Sequence, residues 1–384
     1  MFSPGSSERV MLVSIGSAVV LVVGFALGQG PGDAIRLNQI QVIGTHNSYH
    51  IAAHPNVLGL VAATSKRTAE GLDYTHRPLA EQFSELGIRQ VELDVFADPQ
   101  GGLFAEPSAR KILKKLGKDP GPDPDDGGKL RAPGLKVLHV PDVDFRTTAV
   151  TFKDALGQIR AWSQAYPAHV PIFVLVELKD DAIPALPTRP VKFGKAELDS
   201  VDAEIRSVFR PSEIFTPDDV RGDAPTLREA ILSKGWPKLD DVRGKVFFGL
   251  DNEDEHRELY LEGHPTLENR VMFASVAREH PAAGWMKVND AVEDFARIRD
   301  LVASGFLVRT RADSDTTQSR QNDPTRRDKA LASGAQFVST DYPEPRLDFS
   351  PYEVRLPGKV VARANPVSAG PVLRDGDLEA RRGH

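Results

Sequence analysis

Beyond residue 38 the chain carries eight short apolar runs, and segments of helical periodicity lie between several of them. The runs begin at Ile40 ("IQVIG"), Ile88 ("IRQVELDV"), Lys136 ("KVLHV"), Pro171 ("PIFVLVEL"), Lys245 ("KVFFGL"), Val271 ("VMFAS"), Phe306 ("FLVRT") and Gln336 ("QFVST"). They are mostly β-branched and apolar throughout, which predicts strands covered on both faces. Pro78–Leu86, Phe152–Tyr166, Lys195–Phe209 and Ala291–Ala303 predict helices. This rhythm predicts an α/β chain folded as a (β/α)8 barrel, regular or distorted, with a doubly wound open sheet as the alternative.

A barrel places its chemistry at the carboxyl ends of its strands. The first run ends at His46 and Asn47, the second at Glu92 and Asp94, the third at His139, and the fourth at Glu177 and Lys179. The seventh leads into Arg309, Arg311 and Asp313, the eighth into Thr340 and Asp341. Charged groups stay out of a core unless paired or bound to something, so their recurrence at one end of strand after strand marks a site. Glu92 and Asp94, two apart on a strand, share a face. With Asn47 and Glu177 they make an all-oxygen donor set, which suits calcium or magnesium better than zinc.

His46 and His139 are left over as non-ligands, and two histidines titrating near neutrality can serve as base and acid. With Lys179 or Arg309 beside a cation, the set suits a phosphodiester. The absence of cysteine excludes disulfides, thiolate metal sites and a cysteine nucleophile. A net charge of −6 gives no global footprint for nucleic acid.

Residues 1–30 stand apart. Arg9 precedes an unbroken apolar run, Val10–Leu27, followed by small residues. This predicts an export signal cleaved near Gly28, or else a membrane anchor, either way placing the rest outside the cytoplasm. Residues 31–350 are expected to form the barrel, and 351–384 a disordered or loosely attached tail rich in Arg, Pro and Gly.

The stretches "GTHNS", "VELDVF", "VLHVPDVDF", "FVLVELKD" and "RTRADSDT" resemble the calcium-dependent phosphoinositide-specific phospholipase C family, in its bacterial branch, from about Gln39 to Pro345. The resemblance implies His46 and His139 as catalytic residues, His139 as the acid and His46 as the base or phosphate partner. It implies a calcium ion on Asn47, Glu92, Asp94 and Glu177. Lys179, Arg309, Arg311 and Asp313 are the candidates for contact with substrate. The implied reaction cleaves phosphatidylinositol or a related phospholipid at a membrane surface, giving diacylglycerol and a cyclic inositol phosphate, by an enzyme expected to be a monomer. A glycerophosphodiester phosphodiesterase and an inactive lipid- or glycan-binding barrel are the alternatives. "THNS" argues against the first, and the intact set of histidines and ligands against the second.

One departure from the resemblance is the long segment after Asp94, Glu106–Gly134, where eukaryotic relatives are short. Its basic part, Arg110–Lys118, reads as a solvated excursion or as a contact for an anionic membrane or a substrate head group. The remaining histidines, including His50, His76 and His169, are expected at the surface.

Overall fold

Ten strands form, in chain order β1 Ile40–Thr45, β2 Gln90–Phe96, β3 Lys136–Val137, β4 Ile172–Leu178 and β5 Val246–Leu250, then β6 Met272–Ala274, β7 Trp285–Asp290, β8 Leu307–Arg311, β9 Phe337–Thr340 and β10 Ala362–Ala364. They belong to a computed structural model that describes residues 35–370 and 376–379. The expected export signal or anchor lies outside the described residues, among which no helix is long and apolar enough to cross a membrane.

Eight strands run parallel in the order β6-β5-β4-β2-β1-β9-β8-β7. The ends of that path, β6 and β7, meet through a single parallel bridge, Ser275 to Trp285. The result is a nearly closed barrel with helices around it, the expected class in its distorted form. The helices form where sequence periodicity placed them. Phe152–Ala165 starts on a capping box of Thr151 and Asp154 and buries Phe152, Ala155, Leu156, Ile159 and Trp162 along one stripe. The helix expected from Ala291 begins later, at Phe295.

Two expectations about the strands are corrected. The run at Lys136 is no barrel strand: β3 lies antiparallel against β2 as an outer arm, pairing Val95 with Val137 and Phe96 with Lys136. From this arm Val137 packs into the main core, while Leu138 joins a satellite cluster with Phe96, Phe104 and Leu130. The barrel position is taken by β7, whose "WMKVND" alternates polar and apolar residues instead of forming a continuous apolar run.

The segment from residue 351, expected to be loose, is seated on the barrel over much of its length. Tyr352, Val354 and Leu356 are buried at alternate positions, and β10 pairs antiparallel with β1. Glu379 grips Arg89 in a bidentate ion pair and accepts the Val170 backbone N–H at 2.9 Å, at the amino end of the strands.

Inside the barrel the two-residue strand period sorts side chains into layers. Phe173, Phe247, Phe337 and Trp285 fill the amino end, Phe173 lying 4.5–5.3 Å, centroid to centroid, from the other three. Gly249 leaves room for this layer, since a Cβ there would stand 2.6 Å from Phe173. Two residues further along the same columns come Leu175, Gly249, Ser339 and Lys287, and two more bring Glu177, Asp251, Asp341 and Asn289. The interior passes from aromatic to charged in four residues of strand.

Candidate active site

His46 follows β1 directly, and its backbone N–H is held by the Thr340 carbonyl at 3.1 Å. Its Nδ1 bonds Asp341 Oδ1 at 2.8 Å, so Nε2 is left toward the site, 3.6 Å from Glu92 and 3.3 Å from Arg311 Nη1. Arg311 also binds Asp341 Oδ2 at 3.1 Å. Burial, helped by Arg311, pushes the His46 ring down to about 3 against the pull of Asp341, so it is neutral at pH 7. On the other side, His139 Nδ1 bonds Asp144 Oδ2 at 2.7 Å, and its ring is one-fifth exposed. Both histidines therefore present Nε2 from a ring fixed at Nδ1 by a buried carboxylate.

Asp94 and Glu177 are register partners on adjacent parallel strands, which sets their side chains side by side about 4.8 Å apart at the backbone. Glu92 lies two residues before Asp94 on the same face, and oxygens of all three carboxylates come within 4.8 Å of one another. Burial pushes the Glu92 carboxyl up to about 8 despite Arg309, and that of Asp94 up to about 7 despite Lys179, the neighbouring carboxylates adding to both shifts. Lys179 Nζ sits 2.8 Å from Glu177 and 3.3 Å from Asp94, the local counter-charge of the cluster.

This donor set fits a hard cation. Both oxygens of Asp94, Oδ1 of Asn47 and the Tyr49 hydroxyl are buried without a well-formed hydrogen bond, which folded proteins rarely tolerate. Asn47 adopts φ of +45° and spends its amide N–H on the Tyr74 hydroxyl at 3.0 Å, leaving its oxygen free. The next residue, Ser48, ties this loop to the carboxylates through Glu92: its N–H meets the Glu92 carbonyl at 2.9 Å and its Oγ accepts the Glu92 N–H at 2.8 Å.

The sequence profile described as "Phosphoinositide phospholipase C, Ca2+-dependent" matches residues 35–366. The chain belongs to this family. Calcium-dependent phosphoinositide phospholipases C are phosphodiesterases, so the protein is a calcium-dependent enzyme of that class.

Two solved structures agree on the fold, and a third is reported beside them. The apo calcium-dependent phosphoinositol-specific phospholipase C of a Gram-negative Pseudomonas sp. superposes with a TM-score of 0.50 at 15% identity, over 86% of this chain and 95% of that one. Its myoinositol complex gives 0.50 at 14%, over 86% and 96%. The Ca2+-dependent phosphatidylinositol-specific phospholipase C of Streptomyces antibioticus gives 0.48 at 17%, over 81% and 96%. Curated protein sequences give no match to the chain.

In this phospholipase-type site the expected substrate contacts divide. Lys179 and Arg311 stand at the cluster and beside His46. Arg309 is 2% exposed, its guanidinium bound to Glu92, Asn289 and Ser339. Asp313 is fully buried behind Asp341, accepting its backbone N–H at 2.8 Å and the Thr340 hydroxyl. Arg309 touches the cluster through Glu92, and Asp313 touches the His46 side through Asp341. Burial raises the Asp313 carboxyl to about 6, with Asp341 adding to the shift.

Sequence reasoning placed Asp341 at a strand end without its bond to His46, and missed Asp144 and the whole contribution of β7. Lys287 Nζ reaches Asp251 Oδ2 at 2.7 Å and its carbonyl at 2.5 Å, and Asn289 holds Arg309. His50, His76 and His169 are buried, contrary to expectation. His50 accompanies the site, with Nε2 on Asp144 at 2.8 Å and its ring stacked 4.2 Å from Tyr74. The "HNSYH" spacing was the available signal: a residue four on from His46 returns to the same mouth when the loop turns at Asn47.

Proposed function

We propose that this enzyme is exported and cleaves the phosphodiester of phosphatidylinositol or a closely related phospholipid at a membrane surface, releasing diacylglycerol and a cyclic inositol phosphate. The observation that carries the reading is the pairing of two carboxylate-anchored histidines, His46–Asp341 and His139–Asp144, around one three-carboxylate cluster. The apolar run Val10–Leu27 supports export, and with it an extracellular or outward-anchored location.

Asn47, Glu92, Asp94 and Glu177 would hold the calcium ion, which supplies positive charge that acidifies a hydroxyl and neutralises phosphoryl oxygens. His46, neutral and fixed at Nδ1 by Asp341, takes the proton of the inositol hydroxyl at Nε2. Arg311, 3.3 Å from that nitrogen, faces the phosphoryl oxygens. His139 gives a proton from Nε2 to the glycerol oxygen as the bond to phosphorus breaks, and Asp144 steadies the ring through Nδ1. Lys179 contacts inositol hydroxyls or phosphate from the other side of the cluster. Arg309 and Asp313 position Glu92 and Asp341 respectively.

The test is release of water-soluble phosphate ester from phosphatidylinositol vesicles, with calcium and with excess chelator, beside His46→Ala and His139→Ala. Calcium-dependent release that both substitutions abolish is expected. Turnover that persists in either variant, or under chelation, would overturn the mechanism.

A further inference from the structure

The long segment after β2 contains the helix Ser108–Lys115, which packs through Ala109 and Leu113 onto Ala53 and Val57 of the segment that follows β1. Its opposite side is unusual for a surface helix. Ile112 is 46% exposed and Leu116, one turn on, 59% exposed. Lys114, Lys115 and Lys118 surround them, exposed and without an ion-pair partner among the described residues.

Acidic residues of the same segment pair with other groups than these three lysines: Glu106 with Lys111 and Arg131, Asp119 with His54, Asp123 with Arg110 and Asp125 with Arg131. Arg110 is itself withdrawn, its guanidinium holding the carbonyls of Pro120, Gly121 and Pro122. What remains outward is two large apolar side chains ringed by unneutralised lysines. That is the chemistry of a helix lying in the interface of an anionic bilayer, apolar side chains among the acyl chains and ammonium groups among the headgroups.

The helix is coupled to the site. Asp142, three residues beyond His139 and two before Asp144, accepts the Ser108 N–H on Oδ1 at 2.7 Å and the Ala109 N–H on its carbonyl at 3.2 Å. Its Oδ2 accepts the Thr188 N–H at 3.0 Å, from the loop after β4 that also exposes Ile183. Helix, histidine turn and β4 loop thus meet at one carboxylate on the carboxyl side of the barrel.

We propose that Ile112, Leu116 and the lysines around them are the surface by which this enzyme seats on an anionic lipid bilayer, holding the His139 side of the site against the headgroups. The inference rests on the lipid-phosphodiester reading above and names the element that meets the bilayer.

The test uses the full chain with calcium and vesicles of phosphatidylglycerol in phosphatidylcholine, an anionic surface that is not the proposed substrate. Sedimentation with these vesicles is expected, and not with phosphatidylcholine alone. Lys114→Glu with Lys115→Glu should weaken it by at least fivefold per site, on the order of one lysine's attraction to such a surface. Ile112→Ser with Leu116→Ser should weaken it tenfold or more, while turnover of a water-soluble short-chain phosphatidylinositol below its micelle concentration stays at the parent level. Vesicle binding equal to the parent in both variants would overturn the proposal. So would equal binding to heparin that ignores the serine pair, which would make this a polyanion site. If the parent cleaves no phosphatidylinositol, long- or short-chain, yet sediments with the vesicles and the variants do not, docking stands and the substrate reading falls.

Discussion

His50 and His139 bind the same oxygen of one carboxylate, Oδ2 of Asp144, at 2.8 and 2.7 Å, with their rings edge to face 5.7 Å apart. Asp144 is fully buried, and although burial works against its charge, the two histidines hold its carboxyl well below the usual range. One anion thus fixes both the ring that faces the site and the ring behind it.

Asp144→Asn removes that charge while keeping the shape. The expected result is a fall in kcat on the order of 10²–10⁴, the range for a general acid that has lost its orientation, with KM little changed. Steady-state kinetics at saturating calcium check it, with circular dichroism confirming the fold. An unchanged kcat would remove Asp144 from the machinery.

Calcium should stabilise the folded protein with the logarithm of its concentration above Kd, by about 2.7 kcal/mol at a hundred times Kd. Asp94→Asn should erase this response. The same change relieves a buried carboxylate of its burial penalty, so the calcium-free variant should melt at or above the calcium-free parent. Calorimetric melting with calcium and with chelator separates the two effects.

The pH dependence of the chelated protein follows from the same group. Asp94 is raised from 3.8 to about 7 in the folded state. The native chain therefore holds a proton that the unfolded chain has released, and this group's contribution to stability should fall as pH rises from about 4 to 7, by up to about 1.4 kcal/mol per pH unit. Asp144 and Asp341 shift the other way, so their contribution is present above pH 4 and lost as pH falls below it. Denaturant melts of the chelated parent and Asp94→Asn across pH 3–8 isolate this group: relative to the variant, the parent should lose stability as pH rises from about 4 to 7.

Glu379→Gln leaves the Arg89 guanidinium buried without its counter-charge. A loss of about 3 kcal/mol is expected, and a Tm lower by roughly 5 °C, with kcat unaffected because the pair lies at the far end of the strands. Thermal denaturation and a turnover assay read both.

Much of this site is written along single strands, where a two-residue period is enough to aim Glu92 with Asp94 or to end a strand at His46. Those residues were legible. What the sequence leaves hidden is contact between distant segments: Asp341 reaches His46 across 295 positions, and Arg309 reaches Glu92 across 217. Strand membership failed for a related reason. "KVLHV" has the apolar content of a buried strand, yet its residues cover an outer arm, while "WMKVND" alternates because its inward side carries Trp285, Lys287 and Asn289. The buried segment around Tyr352 carried its own period-two signal, masked by the Pro, Gly and Arg that follow.

The bridge from Ser275 to Trp285 gives the barrel a hinge line. Between β6 and β7 one backbone contact stands where the other joints have ladders or, between β1 and β2, the paired bonds of Ser48 with the Glu92 backbone. The clasp across that line is the ammonium of Lys287 resting on Asp251, two strands away in the wall. A cylinder fastened there by charge yields along that line first, and its amides should be the earliest in the wall to exchange with solvent.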